Sequence, residues 1–254
     1  MRIIMSPTKK MRIDDSLTFP LSTPVYLEKT KVLMDYLKEK SLDELQGLFE
    51  CNEKIAMQNY MRFQEMDLEK QSSVALLSYD GIAFQYMAPQ IFTQEYFEYV
   101  NQHLRIISAF YGVLKPFDAI TPYRLEMQTK LSAPFAKTLY EYWESDLYNE
   151  VIDDSHLILN LASNEYSKSI KPYLKDSDIW IDVVFGELKN NKIVEKGVYV
   201  KMARGEMVRY MAENKIEDVR EIRNFNRLGF VYNKDLSTEY KYVFIKENQN
   251  GESN

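Results

Sequence analysis

Leu157-Ile-Leu-Asn160-Leu-Ala-Ser163-Asn164-Glu165-Tyr166 is the stretch that sets the fold class. Residues 157–161 are apolar except for Asn160, and the run is too short for a helix, so it reads as a strand buried on both faces. Polar residues follow at once, and Ser163 or Asn164 can cap a helix with its side-chain oxygen. A buried strand running into a capped helix is the repeating unit of α/β proteins, where ligands gather at the carboxyl ends of strands. Asn160, Ser163, Glu165 and Tyr166 are therefore candidate site residues, with simple capping as the plainer reading of Ser163.

The same alternation extends in both directions. Strands are expected over residues 2–5 (stopped by Pro7), Ser73 to Tyr79 (closed by Asp80-Gly81), Leu157 to Leu161, Ile179 to Phe185 and Tyr242 to Ile245, with Tyr199-Val200 ending another. Helical spacing begins after Pro24 with Leu27, Val32, Leu33, Tyr36 and Leu37. Ser41 and Glu44 form a capping box that opens a helix through Leu48. Further helices are expected over 53–66, Thr93 to Asn101, Phe135 to Val151 and Ala203 to Asn214. Interleaved strands and helices give an α/β (mixed α+β) class in one domain over residues 1–246, followed by a polar tail, 247–254.

Composition narrows the function. The 254 residues carry 32 Lys and Arg against 38 Asp and Glu, a net charge of −6. One Cys (Cys51) and two His exclude an internal disulfide, a zinc finger and a cysteine-held iron–sulfur cluster; a carboxylate-rich metal site stays open, and no metal or other cofactor is expected. There is no signal-peptide core and no membrane-length apolar run, which points to a cytoplasmic protein with no membrane partner. Neither GxGxxG nor GxxxxGK[ST] occurs. The charge is segregated. Residues 139–156 hold six acids and no Lys or Arg, whereas residues 189–215 hold seven basic residues against three acidic ones.

Five segments carry possible chemistry. Ser6-Pro7-Thr8-Lys9-Lys10 follows the first strand and offers hydroxyls and amines for phosphate. Arg62 sits in a helical stretch as a phosphate fork or an ordinary surface arginine. The densest segment holds His103, Arg105, Ser108, Tyr111, Gly112, Val113 and Lys115, then Tyr123, Arg124 and Glu126. Its glycine turn could present N–H groups to phosphate, His103 could equally be a hydrogen-bonded structural histidine, and Arg124 and Glu126 alternate as in a strand. The fourth segment adds Lys168 and Lys171 to the residues of the opening stretch. The fifth is Lys201, Arg204, Gly205 and Arg209, grouped near a helix start, where bare cations oppose the helix dipole and favour an anionic partner.

Together these segments make the chain similar to the YaaA family of peroxide stress proteins. The matches are His103-Leu-Arg105, Ser108 to Asp118, Pro122 to Met127, Asn160 to Ser163 with Glu165-Tyr166, and Ala203-Arg204-Gly205. The resemblance implies a single-domain cantaloupe-like fold with a basic cleft and a helix-hairpin-helix element, here placed at Tyr111-Gly112-Val113, with Leu114 where a second glycine is usual. It also implies binding to double-stranded or branched DNA, with links to repair and to limiting free iron. Thr8 and Lys10 stand where the family has Ala and Thr, and Phe84 where Tyr is common.

Two readings of the site follow. In the first, Lys9, Lys10, Arg62, Arg105, Lys115, Arg124, Lys168, Lys171, Lys201, Arg204 and Arg209 line one cleft and hold DNA phosphates without catalysis. In the second, an enzyme acts on DNA or a nucleotide, using Ser6, Tyr79, Asp80, Ser108, Tyr123, Glu126, Ser163, Glu165 or Tyr166 for acid–base work. Direct iron binding has little support from two imidazoles and one thiol.

Overall fold

The centre of the molecule is β1 (Arg2–Met5), whose Ile3, Ile4 and Met5 are fully buried. A strand covered on both faces is what an apolar run without alternation predicts. The computed structural model describes residues 1–14, 20–70 and 73–247. The expected tail, 247–254, lies outside them except for Glu247.

In chain order β1 is followed by α1 (Leu27–Lys38), α2 (Leu42–Leu48) and α3 (Glu53–Glu65). The capping box holds α2: the Glu44 N–H donates to Ser41 Oγ at 3.3 Å, and the Ser41 N–H donates to Glu44 at 2.8 Å. Then come β2 (Ser73–Val74), α4 (Ala75–Ser78), α5 (Ile82–Met87), α6 (Gln94–His103), β3 (Leu104–Ser108), β4 (Gly112–Leu114) and β5 (Ala119–Ile120). The second half holds α7 (Leu139–Trp143), α8 (Asp146–Val151), β6 (Leu157–Asn160), α9 (Asn164–Ser167), β7 (Ile179–Lys189), β8 (Lys192–Val194), α10 (Gly197–Glu213), β9 (Phe230–Tyr232) and β10 (Lys241–Lys246).

The main sheet runs β4-β3-β1-β6-β7-β10-β9, with β8 paired to β7. Its five central strands are parallel; β4, β9 and β8 pair antiparallel, and β2 with β5 forms a separate small ladder. The chain leaves β1 for β3 on one side and leaves β6 for β7 on the other. The crevice beyond the carboxyl ends of β1 and β6 is thus a topological switch point, the place where open α/β sheets bind ligands. One continuous apolar core joins sheet and helices.

Four expectations are corrected. Ser73 to Tyr79 is not one strand: two residues pair, Ala75–Ser78 turn helically, and Tyr79 returns as an isolated bridge to Met11. The helix expected over Phe135 to Val151 is two short ones, broken at Glu144 with φ +46°. Tyr199-Val200 does not end a strand but lies in the first turn of α10, so Lys201 and Arg204 sit beyond the first turn and Arg209 further still. Tyr111 closes the turn from β3, and Gly112 and Val113 already belong to β4 and pair with Ser108 and Ile107, so this is not the turn of a helix-hairpin-helix. Gly112 takes φ +80° there, and a Cβ would meet the Trp143 and Tyr26 rings at 2.9 Å, so both backbone and space require glycine.

Candidate functional site

A cavity of about 400 Å³ occupies the switch point. Its floor is the outflow of the two central strands. Met5 and residues 6–10 leave β1, while Leu161 and residues 163–166 leave β6. The two segments are tied together: Ser6 Oγ donates to Ser163 Oγ at 3.1 Å and accepts the Ser163 N–H at 2.8 Å, so Ser163 is held by Ser6 rather than serving as a side-chain cap. Asn160 stands just below, accepting the Ala162 N–H at 2.9 Å and donating to Asp182 at 2.8 Å.

Three further elements close the cavity. The turn into α5 brings Asp80, Gly81, Ile82 and Ala83; residues 123–126, irregular rather than strand, bring Tyr123, Arg124, Leu125 and Glu126; α10 brings Lys201 and Arg204. Helix α10 reaches this position because Gly205 lets it lie against α5. A Cβ at Gly205 would stand 1.8 Å from the Ala83 carbonyl oxygen.

Five cations and three carboxylates therefore line the space, an excess of two positive charges. Lys10 pairs with Asp80 at 2.5 Å. Glu126 takes both Arg124, at 3.1 Å, and Lys9. Lys10 and the Gln85 amide, by hydrogen bonding, hold the Asp80 carboxyl below its usual range. Glu165 accepts the Gln128 N–H at 3.3 Å, and burial pushes its carboxyl upward. Among the described residues Glu165 makes no ion pair with Lys168.

Lys201 and Arg204 are different. Among the described residues neither has an ion pair or hydrogen bond, and the Arg204 Nε is fully buried without a partner. Burial lowers the Arg204 pKa, and the distant pull of Glu195 opposes it. Lys201 is exposed and Arg204 half-buried, and a cation partly withdrawn from water without a counterion costs free energy that a bound anion would recover.

Behind the wall runs a hydroxyl chain. Ser108 Oγ accepts the N–H groups of Phe110 and Tyr111 at 3.2 and 2.9 Å, which fills its acceptor sites, so its own O–H donates to Tyr123 Oη at 2.6 Å. Tyr123 Oη in turn lies 3.0 Å from Tyr79 Oη. Burial pushes the Tyr123 hydroxyl up to about 12 and those of Tyr79 and Tyr166 upward as well, so all three stay protonated at neutral pH.

Other candidates lie elsewhere. His103 is the structural histidine, with Nδ1 3.0 Å from the Met1 carbonyl and Nε2 3.1 Å from Glu217. Arg105 is buried in β3, donates to the Asn101 and Leu104 carbonyls, and has its pKa lowered to about 10 by burial. Lys115 faces Glu150 at 3.9 Å, Arg62 reaches the Met11 carbonyl at 3.5 Å, and Arg209 pairs with Glu213 at 2.7 Å. Lys171 pairs with Asp182 at 3.0 Å, beside the end of β6, and Lys168 is exposed at the end of α9. The eleven basic candidates thus do not share one wall; Lys9, Lys10, Arg124, Lys201 and Arg204 do. Ile82, Ala83, Leu125 and Leu161 also line the cavity and carried no sequence signal beyond ordinary core composition. Among the described residues no group of three or more His, Cys, Asp or Glu is arranged around a metal position, and no helix is long and apolar enough to cross a membrane.

Comparison with known proteins shows the family. The family model for peroxide stress protein YaaA matches residues 1–236. A UPF0246 protein of Agathobacter rectalis is 54% identical over 247 residues, 97% of this chain and 99% of its own. One from Desulfitobacterium hafniense is 53% identical over 246 residues, covering 97% and 98%. One from Lactiplantibacillus plantarum is 43% identical over 245 residues, covering 96% and 99%. The chain belongs to the YaaA (UPF0246) family of peroxide stress proteins.

Proposed function

We propose that this peroxide stress protein is a DNA-binding protein, and that the cavity at the switch point receives a phosphate-bearing nucleotide unit of double-stranded or branched DNA. The observation that carries this reading is Arg204, whose guanidinium lines the cavity without a counterion. Lys201, one turn earlier on α10, is the second unpaired cation. A space of about 400 Å³ is the size of a small-molecule site and far narrower than a duplex. DNA therefore lies across the mouth and presents one unit inward, with exposed Lys168 as an outer phosphate contact. Protection from peroxide then runs through DNA contact and repair. Any lowering of free iron is indirect in this reading, because the cavity carries an excess of cations where an iron ion would need anionic ligands. The test is fluorescence anisotropy on labelled duplex, branched and single-stranded DNA. Lys201→Gln and Arg204→Gln should each weaken binding about tenfold or more, the worth of a charge-assisted hydrogen bond. Unchanged affinities in both would refute the reading.

One observation favours the alternative of an enzyme acting on the nucleotide in the same cavity. Glu165 carries a carboxyl raised by burial and Tyr123 a hydroxyl fed by Ser108, and simple phosphate binding needs neither. Incubation with damaged, abasic and branched DNA, with and without Mg²⁺, tests it. A product lost in Glu165→Gln supports catalysis; DNA recovered intact throughout counts against it.

A further inference from the structure

We propose that the cavity is specific for a nucleotide unit ending in a phosphomonoester: the phosphorylated end of a DNA strand, or a free nucleoside monophosphate. The inference rests on the reading of the cavity as a phosphate site and narrows it. Charge is the first ground. Lys9, Lys10 and Arg124 are each paired with Asp80 or Glu126; with Glu165 as the third carboxylate, the five cations keep an excess of two, and an incoming phosphate meets two cations outside any ion pair, Lys201 and Arg204. A phosphomonoester carries a charge of about −1.5 to −2 at pH 7, whereas an internal phosphodiester carries only one negative charge. The monoester is the better match to two free cations.

The second ground is the path open to a strand. An internal nucleotide threaded through the cavity, rather than turned in from its mouth, needs two ways out, one for each neighbour. Beside the cavity lies a second hollow of about 730 Å³, and the two share only Lys9 and Glu126. These two residues form an ion pair and line both hollows. The second hollow carries Asp43, Glu44 and Glu50 as well as Glu126, against Lys9, Lys40 and Lys130. A phosphodiester chain continuing that way would pass that ion pair and enter a surplus of carboxylates. A strand that stops in the cavity does neither. Leu125, Leu161 and Tyr166 supply apolar wall for the base or sugar of the terminal unit.

The experiment is calorimetric titration of the full-length protein with four probes: single-stranded oligonucleotides ending in a 5′-phosphate, a 3′-phosphate or only hydroxyls, and a nucleoside 5′-monophosphate. One phosphorylated end should bind at least tenfold more tightly than the hydroxyl-ended strand. That preference should vanish in Arg204→Gln and shrink in Lys201→Gln, an exposed substitution that leaves the core untouched. It should also fall as pH drops below about 6, where the monoester dianion takes up one proton and keeps a single negative charge. If the monophosphate alone binds as tightly as the strand end, the ligand is the free nucleotide; if only the strand end binds, it is a DNA terminus. Equal affinity for phosphorylated and hydroxyl-ended strands, still dependent on Lys201 and Arg204, overturns the end specificity and leaves the DNA reading standing. No dependence on either residue for any probe overturns both.

Discussion

Replacing Arg204 by Met should make the protein more stable and its cavity less able to bind, and the opposite signs are the test. The side chain is held in a largely buried place with its Nε unpartnered, among the cations Lys9, Lys10, Arg124 and Lys201. Met keeps the aliphatic length and removes the charge. Relief of an uncompensated, partly buried cation is worth ~1–2 kcal/mol on the scale of buried-charge replacements. For a chain of this size each kcal/mol moves the Tm by about 2–4 °C, so a rise of roughly 2–8 °C is expected. Binding goes the other way. A guanidinium and a phosphate charge 4 Å apart attract by about 4 kcal/mol at an effective dielectric constant near 20, before desolvation is subtracted. The net loss of a charged hydrogen bond is about 1.5–3 kcal/mol, or about 10- to 150-fold in Kd. Urea unfolding at two salt concentrations and anisotropy titration would measure both effects on one preparation. A variant that loses more than about 1 kcal/mol while binding normally would refute the reasoning, since Arg204 would then be a packed and partnered side chain.

Three other substitutions probe the walls. Tyr123→Phe leaves the Ser108 and Tyr79 hydroxyls without their shared partner, and each stranded buried hydroxyl costs about 1–3 kcal/mol, so a Tm decrease of several degrees is expected by calorimetry. Gly205→Ala drives a methyl into the Ala83 carbonyl; overpacking of this kind costs about 1–3 kcal/mol, and phosphate affinity should fall with it because α10 carries Lys201 and Arg204. Glu165 has a folded-state pKa raised by burial, so its ionisation opposes folding. That penalty is absent below the unfolded pKa near 4.5 and grows as pH rises through the folded value. Glu165→Gln should accordingly stabilise the protein at pH 7, with the advantage vanishing near pH 4 in chemical denaturation.

The sequence disclosed those parts of the fold where one local cause dominates. Leu157-Ile-Leu and Ile3-Ile-Met5 form central strands because each is an apolar run with a polar residue only at its end, and Ser41 with Glu44 caps α2 as their spacing requires. It misled where tertiary packing overrides local pattern. Residues 73–79 are as apolar as a strand yet turn helically after Val74, and Tyr199-Val200 is β-branched and aromatic yet helical. The cavity was legible in the same uneven way. Polar residues just after β1 and β6 were found because chain order alone puts them at strand ends. Lys201 and Arg204 were found through their density, although the helix-start argument used for them does not hold. Lys115, Arg105 and Arg209 were grouped with them by sign, and sign says nothing of which carboxylate each cation meets.

Ion pairing bounds the salt dependence of the proposed DNA binding more tightly than composition does. Three of the six acids of residues 139–156 are spent on cations: Asp146 on Lys29 at 2.7 Å, Asp153 on Arg2 at 3.2 Å and Glu150 on Lys115 at 3.9 Å. Arg209 and Lys171 are matched in the same manner by Glu213 and Asp182. Arg62 and buried Arg105 are held by backbone carbonyls, and among the described residues of the basic set only the side chains of Lys168, Lys201 and Arg204 have neither an ion pair nor a hydrogen bond. A cation that leaves a protein carboxylate for a phosphate frees that carboxylate to collect a cation from solution, so it adds little net counterion release. With three free cations, log Kd should rise with log salt at a slope of about 2–3, at 0.7–0.9 per phosphate neutralised. The eleven basic candidates counted by sign alone would give a slope near 8–10 on the same scale. Titrations between 50 and 200 mM salt separate the two. A slope near the upper range would mean that the internal ion pairs open on DNA binding and that the cavity is one part of a longer basic track.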